Sequence, residues 1–205
     1  MSTAPVFLVD DDPFQLLYLG EILRSAGYFV EGFVEPAALL SRLTPRDRGC
    51  IVLDWQMPGL NGLELHKTLS ARQVQLPVIF VSGSADIPIA VAAMRQGAVH
   101  FLTKPVAPAA LLEMVAHSMQ KDAVAAAERA ARTQARMRWL ALSPREQDVC
   151  RLCTRGLLIK QISAALNLSE STVQAHRARA LAKLCVEGVV ELVRVLDLVG
   201  DEPAN

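Results

Sequence analysis

The chain has 205 residues with 21 basic and 21 acidic side chains, so no formal net charge, and it is 52% hydrophobic and 20% charged. That length fits two ordinary domains, the composition excludes a predominantly disordered chain, and the longest apolar runs fall far short of the ~20 residues that cross a bilayer. Zero net charge argues against a generic polyanion binder, and a start without a basic leader predicts no membrane partner and a cytoplasmic protein.

In the first half, short β-branched apolar runs alternate with helical segments. A strand over 6–9 is followed by Asp12, which can cap a helix with Pro13 at its first position and Gln15 at its third, and Gly27 stops that helix. Residues 28–34 and 50–53 read as the next strands. Asn61 caps a helix with Glu64 three positions on, and a strand over 78–81 follows. Asp86 with Pro88 opens another helix that Gly97 stops, residues 99–102 form the fifth strand, and Ala107 with Pro108 opens the last helix of this half. Several of these strands are apolar on both faces. The pattern predicts an α/β fold, a doubly wound five-stranded parallel sheet with right-handed crossovers, whose ligand site lies at the carboxyl ends of the strands.

From Lys121 to Arg138 an Ala/Arg/Glu mixture without Gly or Pro predicts a helical linker that continues the preceding helix. Its stripe of Ala123, Val124, Ala127, Ala130 and Ala131 is poor in large side chains and is interrupted by Gln134, which favours a solvated connector over a coiled coil. A small all-α unit follows. Ser143, Pro144 and Glu146 form a helix start, Gly156 a stop, and a short helix through Ile159 and Ile162 leads by the turn Asn167-Leu168-Ser169 into a helix over 170–184. Two short helices joined by a tight turn have the grammar of a helix-turn-helix. The final helix, 189–199, carries more apolar surface than a tiny domain needs, enough to serve a core and a dimer contact together. The organisation expected is therefore 1–120, a linker over 121–138, and 139–205.

Of the four cysteines, Cys50, Cys150, Cys153 and Cys185, the second and third have a C-x-x-C spacing. No second close pair completes a zinc site, and Val149, Cys150, Leu152 and Cys153 fall on core positions of a helix, so buried free thiols are the favoured reading.

The carboxyl ends of the predicted strands gather Asp10 and Asp11, then Asp54, Ser82 and Lys104. Three carboxylates at one edge repel unless a cation intervenes, and a hard divalent ion such as Mg²⁺ is suited to carboxylates, a backbone carbonyl and a phosphate oxygen. A carboxylate nucleophile there could accept a phosphoryl group, with an ammonium and a hydroxyl on its oxygens.

The segments VFLVDDD, IVLDWQMPGLNGLEL, PVIFVSGSADIPIAVAAMRQGAVHFLTKPV and LSPREQDVCRLCTRGLLIKQISAALNLSESTVQAHR resemble a two-component response regulator of the FixJ/NarL type, a flavodoxin-like receiver joined to a LuxR-type helix-turn-helix. The resemblance implies Asp54 as phosphoacceptor, Asp11 as direct Mg²⁺ ligand, Asp10 acting through a metal-bound water, and the backbone carbonyl of Gln56 as a further ligand. It makes Lys104 the phosphate's partner, with a cis bond to Pro105, Ser82 the switch hydroxyl and Phe101 the aromatic of the switch. As bland readings, Asp12 is a helix cap, Ser82 before Gly83 is ordinary turn chemistry, and Phe101 suits a core position as well as a mobile one. A haloacid-dehalogenase type phosphatase would carry a second acid two residues after the nucleophile, where this chain has Gln56. With Ser84, Gln56 also offers no carboxylate to position an attacking water, which predicts slow loss of the phosphate.

In the second unit the resemblance places a recognition helix at 170–180, with Val173 and Leu181 inward and Gln174, Arg177 and Ala178 outward. Gln can read adenine and Arg guanine or phosphate. Lys160, Ser169, Thr172, His176 and Arg179 complete the expected contacts to double-stranded DNA. The family commonly has Lys where Gln174 stands, so affinity or sequence preference should be unusual. The implied sequence of events is phosphorylation by a sensor histidine kinase, movement of the 87–97 helix and the fifth strand, homodimerisation and DNA binding. The alternative is a signalling adaptor or phosphorelay receiver whose second domain binds protein. Residues 1–120 carry 8 basic and 11 acidic side chains, the linker 5 and 2, and residues 139–205 carry 8 of each. The zero is thus a cancellation, with local positive charge expected from Arg177, Arg179 and Lys183 against Glu170, and DNA binding that depends on dimerisation.

Overall fold

The computed structural model describes residues 4–59, 61–83 and 100–200. It divides into two compact units, 1–126 and 127–205. In the first, β1 (Val6–Val9), β2 (Val30–Phe33), β3 (Cys50–Asp54), β4 (Val78–Ser82) and β5 (His100–Thr103) form one parallel sheet in the order β2-β1-β3-β4-β5. Its described helices are α1 (Pro13–Ser25), α2 (Pro36–Arg42), α3 (Gly62–Ala71) and the start of α4 (Pro108–Leu140). The expected helix start at Asp86 and Pro88 and the stop at Gly97 lie outside the described residues, as does Val99.

Every residue of β1, β3 and β4 is buried, which is why these strands are apolar throughout. Alternate side chains feed two cores. One holds Phe7, Ile51, Leu53 and Phe80 with Leu39 of α2 and Leu65 and Leu69 of α3. The other holds Val6, Leu8, Val52 and Ile79 with Leu19 and Leu23 of α1 and Leu111 and Val115 of α4. Each such side chain contributes about 2 kcal/mol relative to an exposed one.

The helix starts follow the marked chemistry. Asp12 accepts from the Phe14 amide at 2.9 Å with Pro13 next to it, and Asn61 and Glu64 form a capping box. Gly27 has φ +87°, the left-handed stop that glycine adopts without strain. The second strand is shorter than expected, because Tyr28 donates its amide to Leu23 O in closing α1, leaving four residues for the ladder. β3 and β4 each run one residue further, to Asp54 and Ser82.

α4 is continuous over 33 residues, so the linker is helical and extends the last helix of the first unit. Asp122, beyond residue 120, is buried and holds α4 to the first unit, accepting from Arg48 Nε at 2.7 Å and the Gly49 amide at 3.0 Å. Ala123, Val124, Ala127, Ala130, Ala131 and Gln134 are all exposed.

The second unit comprises the end of α4, α5 (Pro144–Thr154), α6 (Ile159–Leu166), α7 (Glu170–Leu184) and α8 (Val189–Val199). Ser143 and Glu146 form a capping box, and Gly156, at φ +81°, follows α5. Asn167 takes the left-handed conformation between α6 and α7, and Ser169 caps α7 by accepting from the Thr172 amide. The core gathers Trp139, Leu142, Val149, Cys150, Cys153, Ile162, Val173, Leu184, Leu192 and Leu196, with Leu152 packed against it. All four cysteines are free, and Cys185 alone is exposed. Burial first, then the neighbouring Cys153, pushes the Cys150 thiol up to about 12, which keeps it an inert hydrophobe.

Candidate functional site

The parallel register brings four strand ends to one level. Val9 pairs with Leu53, Asp54 with Val81 and Ser82 with Thr103, so Asp10, Asp54, Ser82 and Lys104 meet at the carboxyl edge of β1, β3, β4 and β5. Asp10, Asp54 and Ser82 are buried, Lys104 is half-buried and Asp11 is exposed. Asp10, Asp11 and Asp54 each place a carboxylate oxygen within 4.8 Å of the others, the donor set a hard cation takes. Lys104 Nζ lies 2.8 Å from Asp10 Oδ2 and 3.0 Å from Asp54 Oδ1. The other oxygen of Asp10 accepts from the Asp12 amide at 3.0 Å.

Among the described residues, one ammonium therefore pairs with two of three clustered carboxylates. Burial raises the Asp54 pKa; Lys104 pulls it back, Asp10 and Asp11 push it up again, and the net direction is upward. For Lys104, burial favours the neutral amine, and the bonds to Asp10 and Asp54 overcome it and hold its pKa above the ordinary lysine value. Repulsion at Asp54 is thus only partly relieved by the chain's own cation.

The backbone around the site is tightly tied. Trp55 donates its amide to Val81 O at 2.7 Å and Lys104 donates to Ser82 O at 2.7 Å, and the Lys104-Pro105 bond is cis, as expected. Gly62, the first residue of α3, donates to Trp55 O at 3.1 Å; a Cβ there would lie 2.6 Å from Asp54 O and 3.1 Å from the Phe80 ring. Sequence reading missed Gly62, and only its place directly after a helix cap hinted at it. An open cleft of about 500 Å³ beside the cluster is lined by Asp11, Trp55, Gln56, Met57 and Asn61 among others. Phe101 is half-buried and packs against the core that holds Phe80 and Trp55. Ser84, invoked for slow phosphate loss, lies outside the described residues.

In the second unit, α7 turns Val173, Ala180 and Leu184 fully inward and Leu181 partly, while Gln174 and Ala178 share an exposed face one turn apart. Arg179 and Lys160 are exposed and Arg177 is half-buried. The Ser169 hydroxyl lies 2.9 Å from Ser171 Oγ and 2.7 Å from Thr172 Oγ1, so these groups bond one another at the start of α7. His176 is half-buried, with a buried Nδ1 that meets no partner among the described residues.

Lys183 corrects the charge expectation for this helix. Although exposed, it donates to the buried Glu146 at 2.7 Å, so it braces α7 against α5 and its charge is paired. The Lys183 bond, followed by the bond from the Ser143 amide, holds the Glu146 pKa below the ordinary range.

Residues 6–116 match the family model of the response regulator receiver domain, and residues 140–196 that of the bacterial regulatory proteins of the luxR family. The chain is 39% identical over 204 residues to the transcriptional regulatory protein FixJ of Azorhizobium caulinodans, covering 100% of this chain and 97% of that protein. It is 37% identical over 201 residues to nodulation protein W of Bradyrhizobium diazoefficiens, covering 97% and 88%. The solved structure of the response regulator StyR is 38% identical with a TM-score of 0.87, over 96% of this chain and 99% of that one. Full-length FixJ from B. japonicum is 34% identical with a TM-score of 0.60, over 98% and 99%.

Proposed function

Because the chain belongs to the two-component response regulators that join a receiver to a LuxR-type DNA-binding domain, and so regulates transcription, we propose that Asp54 is the residue through which it is switched. The observation that carries this is the imbalance at the sheet edge, where, among the described residues, Lys104 pairs with Asp10 and Asp54 while Asp11 adds a third carboxylate. Asp54 stands at the end of the fully buried β3, with a carboxylate oxygen within 4.8 Å of that of Asp11, which lines the cleft.

The donor set is all oxygen and negatively charged, which fits Mg²⁺; Asp11, Asp54 and the Gln56 carbonyl would hold it, and Asp10 would act through a water. When bound, Mg²⁺ neutralises charge on the transferring phosphoryl group. An oxygen of Asp54 attacks the phosphorus of a phosphohistidine on a sensor kinase; the P–N bond breaks and its electron pair stays on the imidazole nitrogen. The Lys104 ammonium, already 3.0 Å from Asp54, pairs with the new phosphate, and the Ser82 hydroxyl donates to it. Phe101, packed beside Phe80, follows Ser82 through the neighbouring strand. Gln56, where a phosphatase of the haloacid-dehalogenase type would carry an acid, supplies no carboxylate to position an attacking water, so the chain acts as a slow phosphate acceptor.

The altered face at β5 then favours a homodimer, which sets two recognition helices on one side of double-stranded DNA; residues 87–97, expected to share in that face, lie outside the described residues. Gln174 reads base edges. Lys160, Arg177 and Arg179 hold phosphates, aided by Ser169, Thr172 and His176 at or near the groove. The working division is 1–120, 121–138 and 139–205, in the cytoplasm.

The test is labelling with acetyl phosphate. Asp54→Asn should abolish incorporation and any dimerisation that depends on it; label persisting at another residue overturns the assignment. DNA selection with and without the phosphodonor checks the output, and no selected sequence even at low salt would favour a protein-binding second domain. A half-life of seconds for the labelled protein would contradict slow release.

A further inference from the structure

We propose that His100 and His117 form a binding site for a late first-row divalent cation, Zn²⁺ foremost, separate from the acidic cluster. His100 opens β5 and His117 lies on α4, 17 positions on, and their rings meet with centroids 5.0 Å apart at 61°. His100 Nε2 and His117 Nδ1 are 2.7 Å apart. At that distance one nitrogen carries a proton and the other points its lone pair at it. Two imidazoles from different elements thus converge on one shared proton, and a cation that takes both lone pairs can replace it.

The geometry needs little adjustment. Two nitrogens at ~2.0–2.1 Å from a tetrahedral Zn²⁺ lie about 3.3 Å apart, so the pair opens by roughly 0.6 Å. His117 is exposed and His100 half-buried, so the site is reachable. Glu113, one turn before His117 on α4, acts on His100 through its charge and favours a bound cation, and Lys121, one turn after, opposes it. Burial, then His117 and Lys121, hold the His100 pKa below the ordinary histidine value against Glu113, which favours the neutral ligating ring. A pair of imidazoles prefers Zn²⁺, Cu²⁺ or Ni²⁺, with water in the remaining positions, whereas the all-oxygen cluster at Asp10, Asp11 and Asp54 prefers Mg²⁺. The bound ion would tie β5 to α4.

The test is calorimetric titration of the full-length chain with ZnCl₂ in excess Mg²⁺. One equivalent should bind with release of protons, be lost in His117→Ala and in His100→Ala, and weaken in Glu113→Gln. Binding should survive Asp54→Asn and Cys185→Ser, which exclude the acidic cluster and the exposed thiol. His117→Ala is decisive because an exposed imidazole can be removed without opening a core. Binding that persists in this variant, binding abolished by Cys185→Ser, or no wild-type binding below millimolar metal would each overturn the proposal.

Discussion

Each half of the molecule contains a lysine paired with a buried carboxylate, and the two pairs behave in opposite ways. In the second unit Lys183 meets one acid, Glu146, whose Oε2 also accepts from the Ser143 amide, and the carboxylate is more acidic than usual. In the first unit Lys104 meets Asp10 and Asp54 with Asp11 close by, and Asp54 is less acidic than usual because burial and its acidic neighbours outweigh the ammonium. Matched charge makes a brace, while excess charge of one sign leaves a carboxylate repelled and in need of a further cation. The difference separates a part that only holds the fold from one poised to react.

The comparison is open to direct test, with Trp55 reporting on the first unit and Trp139 on the second, each read in a chain where the other is changed to Phe. Lys104→Ala should cost the first unit the most, about 3 kcal/mol by urea unfolding at neutral pH, since it leaves carboxylates buried without a partner. That loss should shrink in saturating Mg²⁺; an undiminished loss would show that the excess charge is not what Lys104 restrains. Glu146→Ala should destabilise the second unit by about 2 kcal/mol, as ion pair and cap go together. Ser143→Ala should cost about 1 kcal/mol, the value of the cap alone.

Acid gives the finest discrimination. Glu146 has a folded pKa below its ordinary value of 4.5, so its stabilisation is complete above that pH and is lost as pH falls through the lower folded value. Asp54 has a folded pKa above its ordinary 3.8, so its contribution runs the other way, and the first unit gains stability as pH falls through the raised value. Asp54→Asn should therefore raise the unfolding midpoint of the first unit slightly at neutral pH and remove that acid gain. A lower midpoint would mean that Lys104 already outweighs the repulsion.

Much of this was legible because it is local. Caps at Asp12, Asn61 and Ser143 bond to amides two or three residues away, so spacing alone reveals them, and the all-apolar strands announce a sheet covered on both faces. The site's residue types were legible too, since each follows a strand that a parallel register must align. What escaped depends on contacts between distant residues. The pairing of Lys183 with Glu146 depends on the packing of α7 on α5, and nothing in its spacing distinguishes it from Arg179, which is also exposed. The clamp of Arg48 on Asp122 joins residues 74 apart, and α2 is preceded by Glu35, whose side chain makes no capping bond. The truncation of the second strand likewise reflects how Tyr28 closes the preceding helix.

Gly62 illustrates a site residue that contributes nothing chemical. With backbone 2.6 Å from where its Cβ would stand, substitution there pushes on the carbonyl of Asp54 itself. In a saturation scan for signalling, position 62 should prove as intolerant as position 54. Suppressor genetics should distinguish the two contacts: trimming Phe80 would relieve the ring at 3.1 Å but not the carbonyl, so no compensating change at residue 80 should restore a Gly62→Ala chain.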